Sequence, residues 1–164
     1  FIKSHPYGDF PVEFVTPEHR AWEQLILKQK VGRTGVSHRF RLEQRFVGIK
    51  VNDGGGSERL DRFSYRNRFR YFAKAVIPFR RDNSGKYFLA LYNEVMFNFG
   101  RNVQNNVFDQ NRAYIAVGRK LPVFGKIEVG YLQQTVQRGS GRLFEFNHTV
   151  QIGLFSVSPV AGAP

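Results

Sequence analysis

The 164-residue sequence contains no cysteine. That excludes a disulfide framework, a thiolate nucleophile and a cysteine metal site. No stretch approaches the roughly 18 apolar residues that a membrane-spanning helix needs. This excludes a helical membrane protein and says nothing against a barrel that crosses with strands. No signal peptide is visible at Phe1–Lys3, so the reading expects a cleaved leader or a start inside a longer protein. Acidic residues are scarce, 13 against 25 Lys and Arg, which leaves a net charge of +12. Such an excess points to nucleic acid or anionic lipid only if the charges gather on one exposed face.

Aromatic residues are plentiful, with 17 Phe and 7 Tyr. Both favour strands, and barrels in membranes use them as interfacial girdles. The dominant hydrophobic period is two, not 3.6. It predicts seven strands at 20–31, 36–48, 63–79, 86–100, 108–121, 126–137 and 143–157. Most exceed the five or six residues of an ordinary soluble strand. Tilted strands that cross a bilayer need about 9–11 residues.

Connections alternate in length. Gly32–Gly35, Arg80–Gly85 (with Asp82, Asn83 and Ser84) and Pro122–Gly125 read as tight turns. Ile49–Arg62 reads as a long loop, Arg101–Val107 as a polar loop and Arg138–Arg142 as a modest one. This alternation is the pattern of an up-and-down barrel with short turns on one side and longer loops on the other. Seven strands cannot close a usual even-numbered bacterial barrel, so an odd number of further strands is expected before Phe1. Residues 1–19, with three X-Pro steps, read as an extended loop, 20–157 as the barrel strands and 158–164 as a flexible tail.

Most strands set a charged face against an apolar one. Strand 63–79 places Arg66, Arg68 and Arg70 at alternate positions, opposite Tyr65, Phe69 and Tyr71. Strand 36–48 sets Arg39, Arg41, Glu43 and Arg45 against Phe40, Leu42 and Phe46. Glu94, Arg112, Glu128 and Glu145 lie opposite apolar neighbours on the later strands. An arginine at the lipid midplane costs about 2–4 kcal/mol, so three at alternate positions do not face lipid. The reading therefore turns the apolar face outward to lipid and the Arg/Glu face into the lumen. There the planar guanidinium forks pair carboxylates. The first strand mixes Trp22 and Ile26 with Gln24 and Lys28 on one face, and its facing stays open.

Several segments carry a resemblance. Pro17-Glu18-His19-Arg20-Ala21-Trp22-Glu23-Gln24, Ser37–Phe46 and Arg66–Tyr71 are similar to motifs of a bacterial family catalogued as domain of unknown function 2490. So are Tyr92-Asn93-Glu94, Phe108-Asp109-Gln110-Asn111-Arg112, Gly130–Gln134 and Asn147-His148. The resemblance spans roughly residues 8–155 and implies an outer-membrane barrel, many of whose relatives come from Bacteroidetes-type bacteria. It implies no activity.

Little of the remaining chemistry stands out. His148 near Glu145 is a candidate general base, but a histidine satisfied by hydrogen bonding is the blander reading. His19 has no second histidine at metal-ligand spacing. Gly54-Gly55-Gly56-Ser57 lacks the ending of a phosphate loop and reads as a flexible loop. Asn147-His148-Thr149 fits a glycosylation triplet but lies within a strand. No catalytic residue, metal or cofactor is expected.

The expectation is a non-enzymatic outer-membrane barrel with a largely filled Arg/Glu lumen, a structural or accessory subunit of an outer-membrane assembly. Its partners would be outer-membrane lipid and other outer-membrane proteins, not nucleic acid. The alternatives are a small anion-permeable porin, a lipid-modifying enzyme that uses His148, and a soluble basic sheet that binds nucleic acid.

Overall fold

A computed structural model describes residues 2–3, 16–52, 54, 58–79, 86–121 and 125–156. The strands are β1 (Ile2–Lys3), β2 (Pro17–Val31), β3 (Thr34–Asn52), β4 (Glu58–Pro78), β5 (Tyr87–Phe99), β6 (Phe108–Leu121), β7 (Gly125–Gln137) and β8 (Phe144–Phe155). They form one antiparallel sheet in sequence order. No helix occurs among the described residues. No ladder joins β8 back to β1 or β2 among them, so the sheet has two open edges.

The seven long strands fall on the seven predicted ones. Gly32, at φ 59°, supplies the positive φ of the two-residue turn between β2 and β3. Two boundaries moved. The expected loop at 49–62 is mostly ladder, because Lys50, Val51 and Asn52 pair with Leu60, Arg59 and Glu58 beyond a register shift at Ile49/Lys50. A bulge of this kind lets a ladder run on past an irregular step. The expected loop at 1–19 contains β1 and the start of β2, with Ile2 opposite Glu18 and Lys3 opposite Pro17. A proline is tolerated at the first position of a strand. The rest of that segment lies outside the described residues. So do the turns at Asp82-Asn83-Ser84-Gly85 and 122–124, residues 55–57 and the tail 158–164.

Register builds one continuous face from the alternating positions. Gln24, Arg41, Arg70, Met96 and Gln110 lie in one cross-strand row, and Trp22, Glu43, Arg68 and Asn98 in the next. In this single-layer sheet the charged face is the buried one. Glu43 is 0% exposed and Glu94 3%, while Ile152 on the other face is 72% exposed. Among the described residues nothing else packs on that face, so the sheet itself must curl around it. Side chains two strands apart meet there, as Arg39 of β3 does with Glu94 of β5.

Towards the turn between β2 and β3 the same inner face gains an apolar cluster beside the Glu128–Lys126 pair. Phe88, Ala90, Tyr114 and Ala116 cluster there, with Val76, Tyr92 and Leu132 against them. Glycine and alanine make room for the rings. A Cβ at Gly118 would meet Phe88 Cζ at 2.2 Å, and one at Gly130 would meet the Ala116 Cβ at 2.5 Å. Alternation of small and large residues fills the interior of narrow barrels in the same way.

Candidate functional site

The middle of the inner face is a network of guanidinium and carboxylate groups. Arg68 Nε donates to Glu43 Oε2 at 2.7 Å, and Arg70 Nη1 donates to Glu43 Oε1 at 2.9 Å. Arg20 and Arg41 lie further out, at 3.6 and 3.7 Å from the same carboxylate. Glu43 is thus a fully buried anion held by four arginines. Glu94 accepts from Arg39 and Arg70, each at 2.8 Å, with Arg112 at 4.0 Å. One flank ends in Glu18, which accepts from Arg45 through both oxygens and from Arg20. The other end is Asp109, which accepts from Arg68 and from the Asn98 amide, each at 2.9 Å.

This geometry is self-consistent chemistry. Each buried carboxylate meets an arginine or lysine through charge-assisted hydrogen bonds, which offset its desolvation. Arginine suits the role because its planar fork can serve two carboxylates at once, as Arg68 and Arg70 do. The network fills space between strands and, among the described residues, holds no nucleophile–base pair. No group of three or more His, Asp or Glu that could hold a metal occurs among the described residues.

All ten residues predicted to line a lumen lie on this one face. Arg41, Glu43, Arg45, Arg68, Arg70, Glu94 and Arg112 belong to the central network. Glu128 is separate and meets Lys126 at 2.5 Å. Glu145 is separate too, engaged by Arg138 and by Asn147, the latter at 2.9 Å. Arg66 has its Nε buried without a hydrogen-bond partner.

The motif positions divide between the faces. Glu18, Arg20, Asp109, Gln110 and Asn147 join the inner face, where reorienting its amide lets Gln110 accept from Arg112. His19, Asn111 and His148 lie on the outer face. His19 packs on Phe63, with ring centroids 5.3 Å apart. Asn111 exchanges amide hydrogen bonds with Asn93 at 3.0 and 3.3 Å. His148 Nδ1 bonds the Tyr131 hydroxyl, so it stands on the opposite face of β8 from Glu145 and the two do not form a dyad.

Alternation places Arg39 on the charged face with Arg41 and Glu43, though outside the ten residues expected to pair, and in the structure it is a full member of the network. One feature was missed in the sequence. The apolar cluster around Phe88 had only a weak signal: Ala90, Ala116, Gly118 and Gly130 are small residues at the even positions that should carry charge. The open facing of β2 is also resolved. Trp22 and Gln24 lie on the charged side, where the Arg41 guanidinium sits 4.5 Å from the Trp22 ring and donates to Gln24.

The family model described as a protein of unknown function (DUF2490) matches residues 4–145. Comparison with curated proteins and with solved structures gives no match.

Proposed function

The chain belongs to the DUF2490 family, and from its inverted faces we propose that it forms the wall of a bacterial outer-membrane β-barrel with a filled lumen. One observation carries this reading. The face rich in Arg and Glu is buried, while Ile115, Val117, Val150, Ile152 and Leu154 are exposed on the other. Water reverses that arrangement, whereas lipid outside and a polar interior favour it. The strand lengths, 12 to 21 residues for β2–β8, exceed what a bilayer crossing needs. In hydrocarbon every backbone group must be paired, so the reading requires further strands between the edge formed by β1 and the rest of β2 and the edge at β8.

The role is non-enzymatic and structural or accessory, in an assembly with outer-membrane lipid and other outer-membrane proteins. The arginines meet carboxylates within the lumen, which favours a plug over a water channel. A second reading, a small anion-permeable pore, draws on the excess of arginine over acid on the same face. Planar-bilayer recording of the protein refolded in detergent separates the two. The filled lumen predicts no sustained current, and a stable anion-selective conductance would establish the pore instead. Release from membranes by high salt or alkali without detergent would remove the membrane reading altogether.

A further inference from the structure

Where the charged face opens towards the loops, it carries a cavity of about 540 Å³. Arg62, Arg66 and Arg101 line it, together with Ser64, Gln104 and Asn105. No carboxylate lines it among the described residues. Arg62 does meet Asp61, at 3.1 Å, but on the exposed rim. Deeper in the network every carboxylate is already engaged. Glu18 is held by Arg45 and Arg20, and Asp109 by Arg68 and Asn98.

Arg66 is the ladder arginine that meets no carboxylate among the described residues, whereas Arg39, Arg41, Arg45, Arg68, Arg70 and Arg112 each do. Register sets it directly opposite Arg45, a like charge that is committed to Glu18. Its Nε is buried and has no hydrogen-bond partner, as is also true of Arg39, whose terminal nitrogen does reach Glu94. A partly buried guanidinium beside another cation, with a donor unused, is a costly arrangement that a bound anion would relieve.

We propose that this cavity binds a phosphorylated sugar. The guanidinium groups of Arg66 and Arg101, with Arg62 beside Asp61 at the rim, match a doubly charged phosphate, which accepts their forked donors. The side chains of Ser64, Gln104 and Asn105 have no hydrogen bond among the described residues, so they are available to sugar hydroxyls. The volume lies within the range of small-molecule sites. The loops hold the wall in place: Asn106 donates to the Gln137 carbonyl at 2.7 Å, and Gln137 donates to the Gly141 carbonyl at 2.8 Å. The inference stands on the cavity and goes beyond the membrane reading.

Calorimetric titration of the folded full chain in detergent tests it, with glucose 6-phosphate, inorganic phosphate and glucose as probes. Glucose 6-phosphate should bind most tightly, inorganic phosphate more weakly and glucose undetectably. Arg66→Gln should weaken glucose 6-phosphate binding about tenfold or more. Arg101→Gln, on an exposed loop, should weaken it by a smaller factor without touching the fold. A short-chain phosphatidylinositol phosphate forms a further arm. Tighter binding than glucose 6-phosphate identifies a lipid headgroup as the source, and weaker binding identifies a free solute. Equal affinity of wild type and both variants, or equal binding of glucose and its phosphate, would overturn the assignment.

Discussion

Arg68 and Glu43 face each other across β4 and β3, and the Arg68 side chain reaches the carboxylate with two nitrogens, Nε at 2.7 Å and Nη2 at 2.6 Å. A third, Nη1, goes to Asp109 on β6. One side chain therefore ties β3 and β6 to β4. This is the smallest unit that explains how a sheet without a second layer holds its curvature on the charged side.

Neutralising that carboxylate should be severe. Glu43→Gln leaves four arginines around a buried neutral group, and uncompensated buried charge costs about 3–5 kcal/mol. Denaturant titration of detergent-folded protein should show a loss of this size. The exposed Arg62–Asp61 pair is the control, since Asp61→Asn should change stability by no more than about 1 kcal/mol. Equal effects at the two sites would mean that the inner network contributes nothing beyond a surface pair.

The apolar cluster on the inner face carries a separate prediction. Gly118→Ala forces a methyl group into the Phe88 ring, and overpacking of this kind costs about 1–3 kcal/mol. Phe88→Leu in the same chain should recover part of the loss, because the two residues are in contact and their effects are coupled. Simple additivity in the double mutant would show that they do not share a packed site.

The outer face discriminates lipid from water directly. Ile115, at the centre of β6, is 49% exposed. In a bilayer Ile115→Arg should cost about 2–4 kcal/mol. On a water-facing surface the same change stays within about 0.5 kcal/mol. Folding titrations into lipid vesicles, compared with wild type, give the number.

Amide hydrogen exchange reads the edges. Strands β3 to β7 are paired on both sides and should exchange more slowly than β8. The amides of β8 that point away from β7 should exchange fast in this chain alone. If the barrel reading holds, the same amides become protected in a chain or assembly that supplies the closing strands. Continued fast exchange there would leave the edge open and count against closure.

The sequence carried much of this architecture because alternation is a local property. Each strand prints its own two faces at every second residue, whatever its neighbours do. The seven long strands, the shared face of Arg41, Glu43, Arg68 and Glu94, and the opposite face of Ile115 and Ile152 all follow from that period. Loop length was less legible. Residues 49–62 look like loop from their glycines, yet cross-strand pairing of Lys50 to Asn52 extends the ladder through most of them.

Which charge meets which is decided between strands and so belongs to the tertiary structure. A slip of one residue in a single register would turn an entire strand over. Only the observed registers put Glu94 between Arg39 and Arg70, bring Asp109 to Arg68, and send His148 to Tyr131 instead of Glu145. The buried cluster around Phe88 likewise depends on Gly118 and Gly130 arriving beneath it from other strands. Sequence alone determined that one face is charged and the other apolar. The curl of the sheet decided that the charged face is the buried one, because side chains crowd on the concave side and spread on the convex side.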